Sequence, residues 1–280
     1  MNWTFGIITD GFHDDRVKNI INSIEDQKIP NYEIIIIGGN TNLKSNHKIK
    51  VHIMDSPKYK WPDDSYVQGH YKKENFSISL KKNLITKLSQ YNNICFLHDY
   101  IALCDNWYSG WIKYGERFDV VINKIIGNNG HRFNDWITWD HPKYGYTLVP
   151  YDKKIQKYMY ISGSYFCAKK SIMEQYPLNE KLEWGEAEDV EWSLRTRNKI
   201  NYSCNYYSEV ILIKEKISSH NILSSDNKRF IINSKKLEND FNAGIENNFT
   251  ISDYASWLNF RLDYAIGKLK RIVKNILIKR

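Results

Sequence analysis

The opening residues alternate between strand-length apolar runs and one amphipathic stretch. Apolar runs occupy residues 3–11 and 29–40, and the second contains four consecutive isoleucines. Such a β-branched run is typical of a strand buried in a parallel sheet. Between the runs, residues 14–27 place apolar side chains at helical spacing, and Asp14 or Asp15 is the expected cap. Strand, helix and strand in this order predict a right-handed βαβ unit.

The alternation continues to residue 225. A short strand is predicted within 50–56, a helix over 74–91, and a buried strand over 94–103, where "ICFLHDYIAL" includes His98, Asp99 and Tyr100. Ligands of open α/β sheets bind at the carboxyl ends of the strands. The pattern therefore predicts an α/β fold with a nucleotide-binding half, and it places these three polar residues at the mouth of its ligand site.

The tail has a different pattern from the rest of the chain. Between residues 258 and 277 the apolar side chains fall on one helical stripe, and Arg261, Lys268, Arg271 and Lys274 lie mostly off it. A basic amphipathic helix can lie in a membrane interface. The alternative is that it docks on the main domain or on a second subunit. The sequence leaves both open.

Composition narrows the class of protein and of partner. The chain has 280 residues, 42% hydrophobic and 26% charged, which is ordinary for a globular protein, and its net charge of +8 favours an anionic partner. No recognised nucleic-acid module is present. Four scattered cysteines without a CxxC pair predict buried free thiols and argue against zinc. The start does not resemble a signal peptide. We therefore expect a cytoplasmic protein, with peripheral membrane association left open.

Chemistry-bearing residues occur in three places in order along the chain. The strand that ends "FLHDY" comes first, "EWGEAEDVEWSLR" follows at residues 183–195, and His220 in "ISSHN" comes last. With the opening "SIEDQKIPNYEIIIIGG", this order resembles the GT-A fold glycosyltransferases, in particular the inverting family 2 enzymes and the galactosyl- and N-acetylgalactosaminyltransferases. The resemblance spans about residues 1–225.

The resemblance implies an architecture. A Rossmann-like nucleotide-binding half is expected over 1–104 and an acceptor half over 105–225, around a central mixed sheet flanked by helices. A helical extension over 226–280, containing the amphipathic helix, would follow.

The resemblance also implies a divalent metal, Mn²⁺ or Mg²⁺, beneath the donor diphosphate. This chain departs from the aspartate-rich family motif, because His98 stands at the first aspartate and Tyr100 at the last. Asp99 is then the remaining carboxylate, and His220 would complete the metal shell with it. Mn²⁺ accepts such mixed oxygen and nitrogen ligands.

For the reacting groups, the resemblance implies that Asp189 is the base and that Glu188 holds an acceptor hydroxyl or the donor sugar. Both residues are expected at a helix start, where the positive helix end favours an ionised carboxylate. An aspartate at position 189 favours inversion over retention. Glu191 and Arg195 are four residues apart and would support the helix.

The remaining site residues are also implied by the resemblance. The nucleotide and its diphosphate would contact Thr9, Asp10, Gly11, Gly39, Asn40, Lys82, Asn83, His98, Asp99, Tyr100 and Gly163. The donor sugar or the acceptor would contact Arg132, Trp136, Trp184, Gly185 and Glu188. An alternative for the loop around Trp136 is a lid packed by its own tryptophans.

Together these features predict a metal-dependent inverting glycosyltransferase. It would move a hexose from a nucleotide sugar, with UDP-sugar the expected donor, to a glycan or lipid-linked acceptor. Two alternatives stay open, a retaining transferase on the same fold and a catalytically degenerate domain that binds carbohydrate or membrane. Product stereochemistry separates the first from the prediction, and absence of turnover separates the second.

Overall fold

The computed structural model describes residues 1–39, 41–53, 78–128, 130–182, 187–213 and 228–278. Four residues of the predicted site lie outside these ranges: Asn40, Trp184, Gly185 and His220. Within the described ranges the strands are β1 Asn2–Ile8, β2 Asn31–Gly38, β3 Ile49–Ile53, β4 Asn93–His98, β5 Ile101–Leu103, β6 Val120–Ile126, β7 Ile137–His141, β8 Gly145–Leu148, β9 Met159–Tyr160, β10 Tyr165–Lys169 and β11 Tyr202–Leu212. The helices are α1 Asp14–Glu25, α2 Ile78–Leu88, α3 Trp107–Tyr114, α4 Lys170–Gln175, α5 Glu188–Thr196, α6 Lys228–Ala243 and α7 Ile251–Ile278.

The predicted βαβ unit is present at the start of the chain. β1 pairs in parallel with β2, and β2 pairs in parallel with β3. Side chains of successive strand residues point to opposite faces, so Ile34 and Ile36 join one hydrophobic core cluster and Ile35 and Ile37 join another. The isoleucine run therefore supplies both faces of the sheet, as its unbroken apolar character predicts.

The cap predicted for α1 was wrong. His13 occupies the N-cap position, and no side chain among the described residues caps this helix. Asp14 is the first residue inside the helix, and its carboxylate accepts hydrogen bonds from the Thr41 hydroxyl and the Asn42 backbone N–H. It ties the loop after β2 to the start of α1 instead.

Eight of the described strands form one mixed sheet in the order β3-β2-β1-β4-β10-β6-β11-β5. β4 lies beside β1 in parallel, and β10 runs antiparallel to β4. Strands from both sides of residue 104 therefore share this sheet. The four cysteines are free thiols, as predicted; Cys95, Cys167 and Cys204 are also buried, whereas Cys104 is partly exposed.

A smaller sheet in the order β8-β7-β9 lies beside the main one. α6 contacts it: Lys143 Nζ lies 2.6 Å from Asp240 Oδ2, and the Tyr144 hydroxyl donates to the same carboxylate. α7 then extends for 28 residues, which confirms the helix predicted for the tail. None of the described helices combines the length and the apolar character needed to cross a membrane.

Candidate functional site

The carboxyl ends of β1 and β4 lie side by side. Ile8 and His98 are partners in the parallel register, so the residues that follow them, Thr9 and Asp99, are neighbours. The Thr9 hydroxyl donates to Asp99 Oδ2 at 2.9 Å, and the Asp99 backbone N–H donates to the Ile8 carbonyl at 3.1 Å. Burial raises the pKa of Asp99, and the negative charge of Asp10 raises it further. The predicted acidic residue is thus held at the expected edge of the sheet.

A buried ammonium group faces these carboxylates. Lys81 Nζ, from α2, donates to the Thr9 carbonyl at 2.9 Å. Burial lowers the pKa of Lys81 to about 8, and the charges of Asp10 and Asp99 oppose that shift. Lys81 was not among the predicted site residues. Its burial could have been inferred from the two consecutive lysines in an amphipathic helix, because one of two adjacent residues must lie near the face that packs on the sheet.

Two glycines and a turn shape the backbone here. A Cβ placed on Gly39 would lie 2.3 Å from the Asp10 carbonyl oxygen, so only glycine allows the loops after β1 and β2 to approach this closely. The Gly11 N–H donates to the Thr9 hydroxyl at 3.0 Å, and Gly11 has a φ of 87° that favours glycine. The structure therefore brings Thr9, Asp10, Gly11 and Gly39 together, and their contact with a nucleotide stays a prediction.

The turn before β10 connects the end of β4 to the start of α5. The His98 N–H donates to the Ser164 carbonyl at 3.0 Å. One residue earlier, the Gly163 N–H donates to Asp189 Oδ2 at 2.8 Å, and a Cβ on Gly163 would lie 2.6 Å from that oxygen. The His-Asp-Tyr and Glu-Asp motifs, about ninety residues apart in sequence, are thereby neighbours in space.

Lys82 joins the same turn to α5. Its Nζ donates to the Gly163 carbonyl at 2.7 Å and to Glu188 Oε1 at 3.0 Å, and its side chain is fully buried. Consecutive lysines on α2 therefore contact the two parts of the site separately, Lys81 at β1 and Lys82 at α5.

Asp189 has the ionisation expected of a base near neutral pH. Burial raises its pKa to about 6, and the charge of Glu188 adds to that rise. Lys82 and the backbone N–H groups of Gly163 and Val190 oppose it. The carboxylate is still mostly ionised at pH 7. Ala187, just before the helix, has a φ of 56°, a strained value for a residue with a Cβ.

An aromatic wall borders Asp189. The negative charge of Asp189 raises the pKa of Tyr146, after the larger effect of burial. The Trp139 and Tyr146 rings meet edge to face at 5.1 Å, and Ala187 packs in the same cluster. Tyr146 was not among the predicted site residues. Nothing in its short strand distinguishes it, because its position follows from the packing of the small sheet against α5.

Two predicted sugar-contacting residues are engaged in the protein itself. Arg132 Nε donates to Asp135 at 2.7 Å, and its guanidinium lies 3.8 Å from the centre of the Tyr151 ring. Trp136 is buried, and its indole N–H donates to the Lys153 carbonyl at 2.7 Å. For these residues the geometry favours the alternative of a loop packed by its own side chains.

Asn83, predicted near the diphosphate, contacts a different segment. Its Nδ2 donates to the Leu178 carbonyl at 2.9 Å and its Oδ1 accepts from the Leu178 N–H at 3.0 Å. It fastens the loop that follows α4 to α2. Asn83 therefore contacts Leu178, whereas the neighbouring Lys82 contacts Gly163 and Glu188.

The predicted metal site is only partly within the described residues. The Tyr100 hydroxyl lies 3.2 Å from His98 Nδ1, and the Thr9 hydroxyl donates to Asp99. Within the described ranges, no group of three His, Cys, Asp or Glu side chains could hold a metal ion. Mg²⁺ and Mn²⁺ prefer about six ligands, mainly oxygen, so Asp99 beside an ammonium group does not fit such an ion by itself.

Comparisons with known proteins show the fold. No protein-family model and no curated protein matches the chain. The crystal structure of S. aureus TarS 1–349 in complex with UDP is 12% identical, with a TM-score of 0.50, covering 92% of this chain and 78% of that one. The structure of TarS 1–349 alone gives 12% identity, a TM-score of 0.49, and coverage of 94% and 80%. The mixed eight-stranded sheet flanked by helices and the likeness to the UDP-bound TarS structure show an α/β fold shared with that protein, which confirms the predicted fold class.

Proposed function

We propose that this chain is a nucleotide-sugar glycosyltransferase that moves a hexose from a UDP-sugar to a glycan or lipid-linked acceptor with inversion. The observation that carries the proposal is the pair Lys81 and Lys82. Lys81 contacts Thr9 at the end of β1, and Lys82 contacts Glu188 at the start of α5. The proposed donor site and the candidate base Asp189, next to Glu188, are therefore both held by α2. The fold shared with UDP-bound TarS supports the donor class.

On the donor side, the nucleotide diphosphate would lie at the ends of β1 and β4. The absence of a side chain at Gly39 and Gly11 lets phosphates or ribose approach the backbone closely. Lys81 supplies a positive charge in a buried setting, where a charge interacts more strongly than in water. Asp99 and its Thr9 partner would orient the donor beside that charge.

On the acceptor side, Asp189 would accept the proton of the attacking hydroxyl. As the new bond forms between that oxygen and the anomeric carbon, the bond to the diphosphate breaks and UDP leaves with the electron pair. A base works best when its pKa lies near the working pH, and burial brings Asp189 to about 6. Lys82 and Gly163 would hold Glu188 and Asp189 in place, and Trp139 and Tyr146 would offer faces to sugar rings.

Metal dependence is a separate part of the proposal. Asp99 and His220 would be the protein ligands of Mn²⁺ or Mg²⁺, which would stabilise charge on the leaving diphosphate. The alternative is that Lys81 supplies enough positive charge for UDP to bind without a metal. The two predict opposite effects of chelation.

The first experiment is calorimetry of UDP binding, with Mn²⁺ and then with excess EDTA. We expect the wild type to bind UDP and Asp99→Ala to bind it at least tenfold more weakly. Asp152→Ala is the matched control, since its carboxylate is 64% exposed and belongs to a surface pair. Loss of binding on chelation supports the metal, and retention supports Lys81. Absence of UDP binding in both conditions would refute the UDP-sugar proposal.

Donor screening with wild type and Asp189→Asn then tests transfer itself. We expect turnover by the wild type to fall at least a hundredfold in Asp189→Asn. The anomeric configuration of the product, determined by NMR, distinguishes inversion from retention. UDP binding without turnover of any donor or acceptor would instead support a catalytically degenerate binding domain, which the His98 and Tyr100 replacements keep as an alternative.

A further inference from the structure

The start of α7 is fixed to the rest of the protein. The Thr250 N–H donates to Asp253 Oδ2 at 2.8 Å, and the Asp253 N–H donates back to the Thr250 hydroxyl at 3.1 Å, which is a reciprocal capping arrangement. Beside it, the Phe249 ring lies 5.6 Å from Tyr254 and 5.4 Å from His141 at the end of β7. The helix therefore leaves the fold from a defined point.

Beyond this point, one face of α7 is apolar and exposed. Its side chains recur at spacings of three and four residues, and each has roughly half of its surface accessible: Leu258 54%, Leu262 52%, Ile266 48%, Leu269 61% and Val273 47%. This aligned set, which we call the α7 stripe, is a continuous surface rather than scattered exposed residues. The predicted alternative in which it docks on its own domain is not favoured by these exposures.

Charge near the α7 stripe identifies what it fits. Within the helix, residues 264–278 contain Lys268, Lys270, Arg271 and Lys274, and no aspartate or glutamate. A second copy of the same segment would bring more positive charge to the contact. An anionic lipid surface supplies negative charge and also an apolar layer for the stripe.

We propose that α7 lies in the interface of an anionic lipid bilayer, with the α7 stripe in the acyl boundary and the basic residues at the headgroups. The helix would lie along the surface, since none of the described helices has the character of a membrane span. This proposal does not depend on glycosyl transfer. It would also hold the chain at a surface where lipid-linked molecules reside.

The test is flotation of the full chain with vesicles of phosphatidylcholine alone and of phosphatidylcholine with one quarter phosphatidylglycerol. We expect binding to the anionic vesicles, weakened at least tenfold by high salt. Replacing Lys268, Lys270, Arg271 and Lys274 with glutamine should weaken binding by roughly several hundredfold, because each of the four basic residues near an anionic surface contributes about fivefold.

A second variant tests the apolar contact. Leu258→Ser, Leu262→Ser and Leu269→Ser together should abolish binding to anionic vesicles at any salt concentration. Ile112→Ser is the matched control, because Ile112 is 59% exposed on α3 and should leave binding unchanged. Thermal unfolding of each variant reports whether the fold is intact.

Three results would overturn the proposal: equal binding to neutral vesicles, no effect of the triple serine variant, or no vesicle binding at all. In the last case, sedimentation equilibrium that shows a dimer dependent on the α7 stripe would assign this surface to a second copy of the chain.

Discussion

The buried pair Lys82–Glu188 gives the sharpest test of how this site is assembled. Lys82 has no exposed side-chain surface and Glu188 is 10% exposed, with 3.0 Å between Nζ and Oε1. Lys82→Met would leave the buried carboxylate without its partner and remove the hydrogen bond to the Gly163 carbonyl. Removing one member of a buried ion pair costs about 3–5 kcal/mol, because the remaining charge stays desolvated.

A double-mutant cycle separates this pairing from simple loss of packing. Urea unfolding, followed by tryptophan fluorescence at pH 7, would give the free energy of unfolding of Lys82→Met, Glu188→Gln and the double variant. We expect the double variant to lose less stability than the sum of the singles, with a coupling of about 1–3 kcal/mol. Coupling below about 0.5 kcal/mol would refute the argument that the two groups stabilise each other.

The exposed pair Glu191–Arg195 is the matched control for this cycle. Its Arg Nε and Glu Oε1 are 2.9 Å apart, but both side chains are partly accessible to solvent. Exposed pairs four residues apart on a helix contribute only about 0.3–0.5 kcal/mol. A double-mutant cycle on Glu191 and Arg195 should therefore give little coupling, although their charged atoms are as close as those of Lys82 and Glu188.

Three further outcomes are expected. The kcat/KM of the wild type should rise with pH through about 6, the pKa of Asp189, because the base must be deprotonated, and it should fall again above about pH 8, where Lys81 loses the charge that binds the donor; a profile flat from pH 5 to 8 would exclude Asp189 as the base. Gly163→Ala should lower kcat by about a hundredfold, because its Cβ would lie 2.6 Å from Asp189 Oδ2 and displace it; initial rates at saturating donor check this, and a kcat equal to wild type would contradict it. Gly39→Ala should lower the free energy of unfolding by about 1–3 kcal/mol and weaken UDP binding, because its Cβ would lie 2.3 Å from the Asp10 carbonyl oxygen and the backbone there cannot easily move away. A melting temperature equal to wild type would contradict this.

Much of the fold could be predicted because it follows from local patterns. The isoleucine run of β2 supplies both core clusters, and the periodic residues of α1 are buried. Asp99 at the end of β4 was also predictable, since a polar residue directly after a buried parallel strand must lie at the ligand edge of the sheet. The amphipathic pattern of the tail likewise predicted α7.

The roles of individual polar side chains could not be predicted in the same way. Lys81 and Lys82 are adjacent in sequence and are the same type of residue, yet they contact different parts of the site. Arg132 has the chemistry of a ligand-binding residue, but it donates to Asp135 and to the backbone carbonyls of Trp136 and Val149. A long side chain reaches several partners, so its neighbours in space decide which one it contacts.

The sequence by itself determined the α/β class, the order of the elements and the two acidic motifs. Tertiary structure decided that these motifs meet, because antiparallel pairing of β10 with β4 brings Gly163 and Ser164 to the end of β4, where Gly163 contacts Asp189. It also decided the ionisation of Asp189, whose pKa depends on burial and on the charges of Glu188 and Lys82. Hydrophobic periodicity is a local property of the chain, whereas desolvation and charge pairing depend on residues far apart in sequence.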